Sequence, residues 1–335
     1  MSKVFDLWNE VGGAFGPSGR EDAVREAIAA IAGEYIDDVT TDTLGNLICR
    51  KKGSGKKVLF AAHMDSIGVV ATYIDEHGFI RFSQVGGLFK GDLINITVRF
   101  ANGTRGVISY EEKTPFKDLT LDNLFIDIGA KDRADAEKQV QVGDFAVFEA
   151  PRFEQNGVLC GPYLDNRIGC VTLLRAMEQV GETDNDLYFV FTAQEEVGLR
   201  GAGAAAFAVQ PDVAIAVDVT DTGDLPERKT PMAVDMGKGP AVKVMDRSVI
   251  CTPAICAALE QAAHDCGVAT QREILQFGGT DTAALQKARA GVQAGAVSIP
   301  TRYIHSPSEM CAVSDVEDAA KLLARFAMTF GRQNT

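Results

Sequence analysis

Four short runs, 58–62, 187–192, 213–217 and 296–299, are apolar at nearly every successive position, and this constrains the fold more than any other feature of the chain. Successive side chains of a strand point to opposite faces, so such a run suits only a strand covered on both sides. Helical stretches are predicted between and around them, at about 166–180, 202–209, 253–266 and 282–289. Upstream, Ser18 and Glu21 stand at capping-box spacing, with Val24, Ile28, Ile31 and Tyr35 following at helical spacing. They predict a first helix over about residues 20–35. The expected fold class is α/β, a mixed sheet covered by helices on both faces.

Residues 66–158 break that rhythm. Ile94, Ile96, Val98 and Phe100 alternate with polar residues, and GVISYE and DFAVFEAP are similar short runs bounded by turn formers. This is the pattern of half-buried antiparallel strands, with one short helix predicted around 131–139. The expected organisation is a body formed by 1–65 and 159–335, with a small β-rich domain, 66–158, inserted into it.

The body's strands lead to charged residues. His63 and Asp65 follow the first, Glu195 and Glu196 the second, Asp218 the third and His305 the fourth, while Asp165 opens the 166–180 helix. Open α/β sheets bind ligands at the carboxyl ends of their strands, so these groups are expected to face one crevice. Taken singly, each has a plainer role. Asp165 could cap its helix, His63 could be a packed histidine, and the two glutamates could be a solvated strand exit. Taken together, that much negative charge would repel itself unless protonated or offset by cations. Imidazole and carboxylate without thiolate suit zinc, cobalt or manganese, and a bridging carboxylate allows two ions. Asp65, separated from His63 by one residue, can orient the imidazole. Glu195 and Glu196 cannot point the same way in an extended segment, so one can ligate while the other serves as general base. The remaining histidines, His77 in a turn and His264 on a helix, read as structural.

Composition excludes other classes. Acidic residues outnumber basic ones 46 to 33, for a net charge of −13, which speaks against nucleic acid or anionic membrane as partner. No apolar run approaches the ~18 residues of a membrane span, and the opening MSKVFDLWNEVGG lacks the apolar segment of a secretory leader. Seven cysteines without a CxxC read as thiols in a reducing compartment, so a cytoplasmic location is expected.

Six ordered segments, AAHMDSIG (61–68), YLDNRIG (163–169), AQEEVGLRGA (193–202), AVDVTDTGDLP (216–226), FGGTDTAALQ (277–286) and SIPTRYIHSPSE (298–309), resemble the tetrahedral dinuclear metallo-aminopeptidase family. That family includes glutamyl and deblocking aminopeptidases, and some members were once labelled endoglucanases. The resemblance implies a zinc-exopeptidase-like body with a PDZ-like dimerisation insert, assembled as a cytoplasmic homododecamer. It implies two divalent ions per subunit, with His63, Asp165 and Asp218 as ligands of one and Asp165, Glu196 and His305 as ligands of the other. Glu195 corresponds to the general base and Asp65 to the partner of His63, in an enzyme that removes N-terminal residues from peptides with a free N-terminus. Ser66 departs from the acidic residue that many relatives carry there.

Three alternatives compete. Gly201-x-Gly203-x-x-Ala206 matches a relaxed dinucleotide fingerprint and suggests an oxidoreductase, although it lies far from its strand. Paired carboxylates could serve a glycosidase, which would leave the histidines without a role. A related monomeric metallo-exopeptidase or deacylase would share the chemistry but lack the insert. Gly278-Gly279-Thr280-Asp281 reads as a turn into a helix capped by Thr or Asp, its amides available to substrate.

Overall fold

The computed structural model describes residues 1–228 and 230–331. The four apolar runs lie side by side as the parallel centre of an eleven-stranded sheet, in the order Asp186–Thr192, Lys57–His63, Val213–Thr220 and Gln293–Arg302. Antiparallel strands extend it at both sides, Leu47–Lys51 and Asp38–Thr41 at one and Glu309–Ala312, Val158–Gly161 and Phe153–Gln155 at the other. Ala241–Met245 pairs with Gln293–Arg302 and carries Gln271–Ile274 beyond it.

Continuous apolarity has a direct structural cause. Val58, Phe60 and Ala62 enter one core with the helices Lys3–Gly13, Asp22–Ala32, Leu164–Gln179, Pro253–Asp265 and Val313–Thr329. Leu59 and Ala61 enter a second core with Ala202, Ala205 and Ala206 of the helix Arg200–Val209 and Leu285 of Thr282–Gln286. The small residues of that second layer let the helix approach the sheet closely, where leucines would hold it away.

Residues 68–149 form a closed barrel in the order Gly68–Ile74, Ile80–Val85, Leu124–Asp127, Arg105–Tyr110, Thr97–Phe100 and Phe145–Glu149. Its own core contains Val69, Ile80, Val98, Ile108 and Phe148, and Tyr163 of the body inserts into it. The Tyr163 hydroxyl donates to the Phe148 carbonyl, 2.9 Å. This tie stands two residues before Asp165.

Several expectations are corrected. Ser18 and Glu21 form no capping box: the helix runs Asp22–Ala32 without a side-chain cap, because the Ser18 hydroxyl donates to Asp65 instead. Ile94 and Ile96 precede their strand, which begins at Thr97, since Asn95 takes φ 63° in a turn. The 131–139 helix shrinks to Arg133–Ala136. Helices Lys3–Gly13 and Val313–Thr329 were not among those predicted. Among the described residues no helix is long and apolar enough to cross a membrane.

Candidate metal centre

Parallel register places the site. Thr192 pairs with His63, so the first two strands end level, and the turn after Thr192 brings Glu195 and Glu196 beside His63. Asp218 stands inside its strand opposite Ser298 rather than at the end, because that strand continues to Thr220. His305 follows the last central strand at φ 65°. Asp165 is non-helical, at φ −76° and ψ 110°, and caps nothing: Asn166 Oδ1 accepts from the Gly169 amide in its place.

All seven predicted residues converge. His63 Nε2 lies 3.1 Å from Asp165 Oδ1, 3.8 Å from Asp218 Oδ1 and 3.9 Å from Glu195 Oε2. His305 Nε2 lies 3.2 Å from Asp165 Oδ2 and 3.4 Å from Glu196 Oε2. Asp165 therefore offers one oxygen to each histidine. Both glutamates face the cluster, against the expectation for an extended segment. Gln194 at φ 59° bends the chain, and the Gly198 and Leu199 amides close a turn onto the Glu195 carbonyl. Of the histidines read as structural, His77 and His264 are both largely exposed.

Asp65 is fully buried and serves more than His63. Its Oδ1 lies 3.4 Å from His63 Nδ1 and accepts the Glu195 amide at 2.9 Å. Its Oδ2 accepts the Glu196 amide at 3.2 Å and the Ser18 hydroxyl at 2.6 Å. Asp65 thus holds the imidazole, through its backbone carbonyl 3.2 Å from Nδ1 and its nearby carboxylate, and the backbone of both glutamates. A residue that sequence reasoning did not single out does the same opposite. Buried Glu309 accepts the Asp165 amide and the His305 amide, each at 2.9 Å. Buried Asp281 stands at the N-cap position as expected, but its side chain makes no cap hydrogen bond and accepts the Thr192 hydroxyl instead.

The electrostatics of the cluster are those of excess anion out of water. Burial, reinforced by Asp165, raises the Glu196 carboxyl to about 8 despite His305. Burial likewise raises Asp218 to about 7 and Asp281 to about 6. Glu195 is raised well above the carboxylate range by burial and by Asp218, against the attraction of His63. His305 is lifted to about 10 because Asp165 and Glu196 outweigh its burial. Asp165 is held low by the two histidines against its burial. Two buried acceptors, Asp165 Oδ1 and Glu196 Oε1, have no hydrogen-bond donor. Acceptors without donors amid carboxylates that would otherwise bind protons fit divalent cations, and the imidazole–carboxylate donor set suits them.

A cavity of about 850 Å³ opens from this cluster, walled by residues such as Leu225, Leu275, Phe277 and Thr280. Gly201, the first glycine of the dinucleotide alternative, has a packing role. A Cβ at Gly201 would lie 2.2 Å from Asn46 Oδ1 and 2.5 Å from the Ala193 carbonyl. Glu195 and Glu196 also fill the turn where a pyrophosphate would have to sit.

Residues 45–322 match the model of a family described as M42 glutamyl aminopeptidase. A protein of Acetivibrio thermocellus is 50% identical over 321 residues, spanning 96% of this chain and 97% of its own. An aminopeptidase from the archaeon Desulfurococcus kamchatkensis superposes with a TM-score of 0.93 at 35% identity, over 97% of this chain and 94% of that one. The Pyrococcus horikoshii TET1 peptidase, described as able to assemble into a tetrahedron or a large octahedral shell, gives 0.89 at 31% identity, over 97% and 99%.

Proposed function

The chain belongs to the M42 glutamyl aminopeptidase family and is a metal-dependent aminopeptidase; from that premise we propose how its residues divide the work. His63, Asp165 and Asp218 hold one divalent ion, zinc, cobalt or manganese, and Asp165, Glu196 and His305 hold the other. The observation that carries this reading is the division of Asp165, one oxygen toward each histidine. When bound, the two ions polarise the scissile carbonyl and lower the pKa of a water in the site. Glu195 takes that water's proton and returns it to the leaving amine. Asp65 and Glu309 orient the ligands by holding their backbone amides. The acidic floor of the cavity receives a free α-amino group, which restricts cleavage to the first residue.

We assign 1–65 and 159–335 to the catalytic unit and the barrel, within 66–158, to dimerisation. Dimers would then build a tetrahedral dodecamer, a reading supported by the P. horikoshii relative.

Mass spectrometry of peptide digests tests the activity. The metal-loaded protein should shorten a free peptide one residue at a time from its N-terminus. It should leave the N-acetylated peptide intact, and a chelator should stop the reaction. Cleavage at internal bonds, or cleavage undiminished by chelation, would contradict the proposal.

A further inference from the structure

Within the aminopeptidase reading, on which this inference rests, we propose that the site selects peptides whose first residue is apolar and turns away those that begin with a basic residue. A first residue whose amine sits in the acidic cluster must place its side chain along the adjoining cavity wall. Away from the cluster that wall carries Leu199, Leu225, Leu275, Phe277 and Ile304, drawn from separate segments of the chain.

Three hydroxyls of the same wall are spent elsewhere. The Thr220 hydroxyl donates to buried Glu273 at 2.9 Å, and the Ser248 and Thr280 hydroxyls donate to buried Asp246 at 2.7 and 3.2 Å. Asp246 and Glu273 are themselves tied to the buried ammonium of Lys243. These three hydroxyls thus give their protons to buried carboxylates rather than to a ligand in the cavity.

Charge on the wall points the same way. Asp221, outside the cluster, is paired with Arg228. Arg247 lines the cavity, is exposed, and has no ion-pair or hydrogen-bond partner among the described residues. A lysine or arginine side chain on a substrate would therefore meet no free carboxylate and one like charge. An acidic side chain would meet Arg247, but an exposed ion pair returns at most about fivefold in binding. Burying a leucine-sized side chain against carbon is worth about 10- to 100-fold. The apolar residue wins that comparison.

Leucine, phenylalanine, glutamate and lysine p-nitroanilides, hydrolysed by the dication-loaded protein, provide the test. The expected kcat/KM for the leucine compound exceeds those for glutamate and lysine by about tenfold or more. Arg247→Glu, at an exposed position, should raise the lysine-to-leucine ratio by about tenfold, and Phe277→Ala should lower the leucine-to-glutamate ratio severalfold. Glutamate or lysine turned over as well as leucine, or ratios unmoved by both substitutions, would overturn the specificity. Hydrolysis of none of the four by protein carrying two ions would instead overturn the aminopeptidase reading itself.

Discussion

The metal-free cluster resists losing its protons, and that gives its residues a signature in stability. Glu196 and Asp218 keep their protons in the folded chain to about pH 8 and 7, where an unfolded carboxyl has ionised near 4. A raised folded pKa stabilises fully below the unfolded value and loses that contribution as pH climbs through the folded one. His305, raised to about 10, shifts in the same sense. The metal-free protein should therefore lose stability between about pH 5 and 8, while a dication that replaces the protons gains its largest advantage at the upper end. Calorimetric Tm values with and without zinc across that window check this. A metal-free Tm that rose steadily from pH 5 to 8 would contradict it. Which residues were legible follows from how they act. His63, Asp165, Asp218 and His305 act through side chains at or near strand and helix ends, Asp218 just inside its strand, so their approximate placement could be read from apolar runs. Glu309 acts by accepting two backbone amides, one from nearby His305 and one from Asp165 far away in sequence, and no spacing announces that. Ser18 and Glu21 carried a true local signal that a tertiary partner, Asp65, overrode.

At the level of elements, the helix Arg200–Val209 shows a glycine, Gly201, serving packing rather than phosphate binding. Gly201 faces the Asn46 side chain and the Ala193 backbone at distances no Cβ tolerates, whereas a Cβ at Gly203 would only touch Ala284 at 3.9 Å. Gly201→Ala should cost about 1–3 kcal/mol through overpacking. Gly203→Ala should be neutral or stabilising by up to about 1 kcal/mol, the helix preference of alanine over glycine. Denaturant unfolding of both variants measures the difference, and equal losses would refute the packing account. The central strands were legible because burial on both faces leaves an unmistakable apolar run. The helix Val313–Thr329 was not, for it follows the strand Glu309–Ala312 without a break and has no side-chain cap to mark its start. The register of the parallel strands, which sets Asp218 two residues inside its strand's end, is fixed by partners distant in sequence.

For the whole molecule, the surplus of acid acquires a location. Part of the net charge of −13 is gathered at the carboxyl edge of the parallel sheet, where four carboxylates face two histidines at the floor of one cavity. The α/β body was foreseeable from its strands. That the β-rich section closes into a barrel, tied by Tyr163 to the chain just before Asp165, depends on strand pairings that alternation alone does not specify. The division of labour within the cluster, ligands on one side and a single proton carrier on the other, is the central claim, and Glu195→Gln tests it most directly. The variant keeps the shape of the side chain but cannot accept a proton. Metal content by mass spectrometry should stay at two ions per chain while kcat on a free peptide falls by about 10²- to 10⁴-fold. A variant that retained both ions and near-normal turnover would show that Glu195 is not the base.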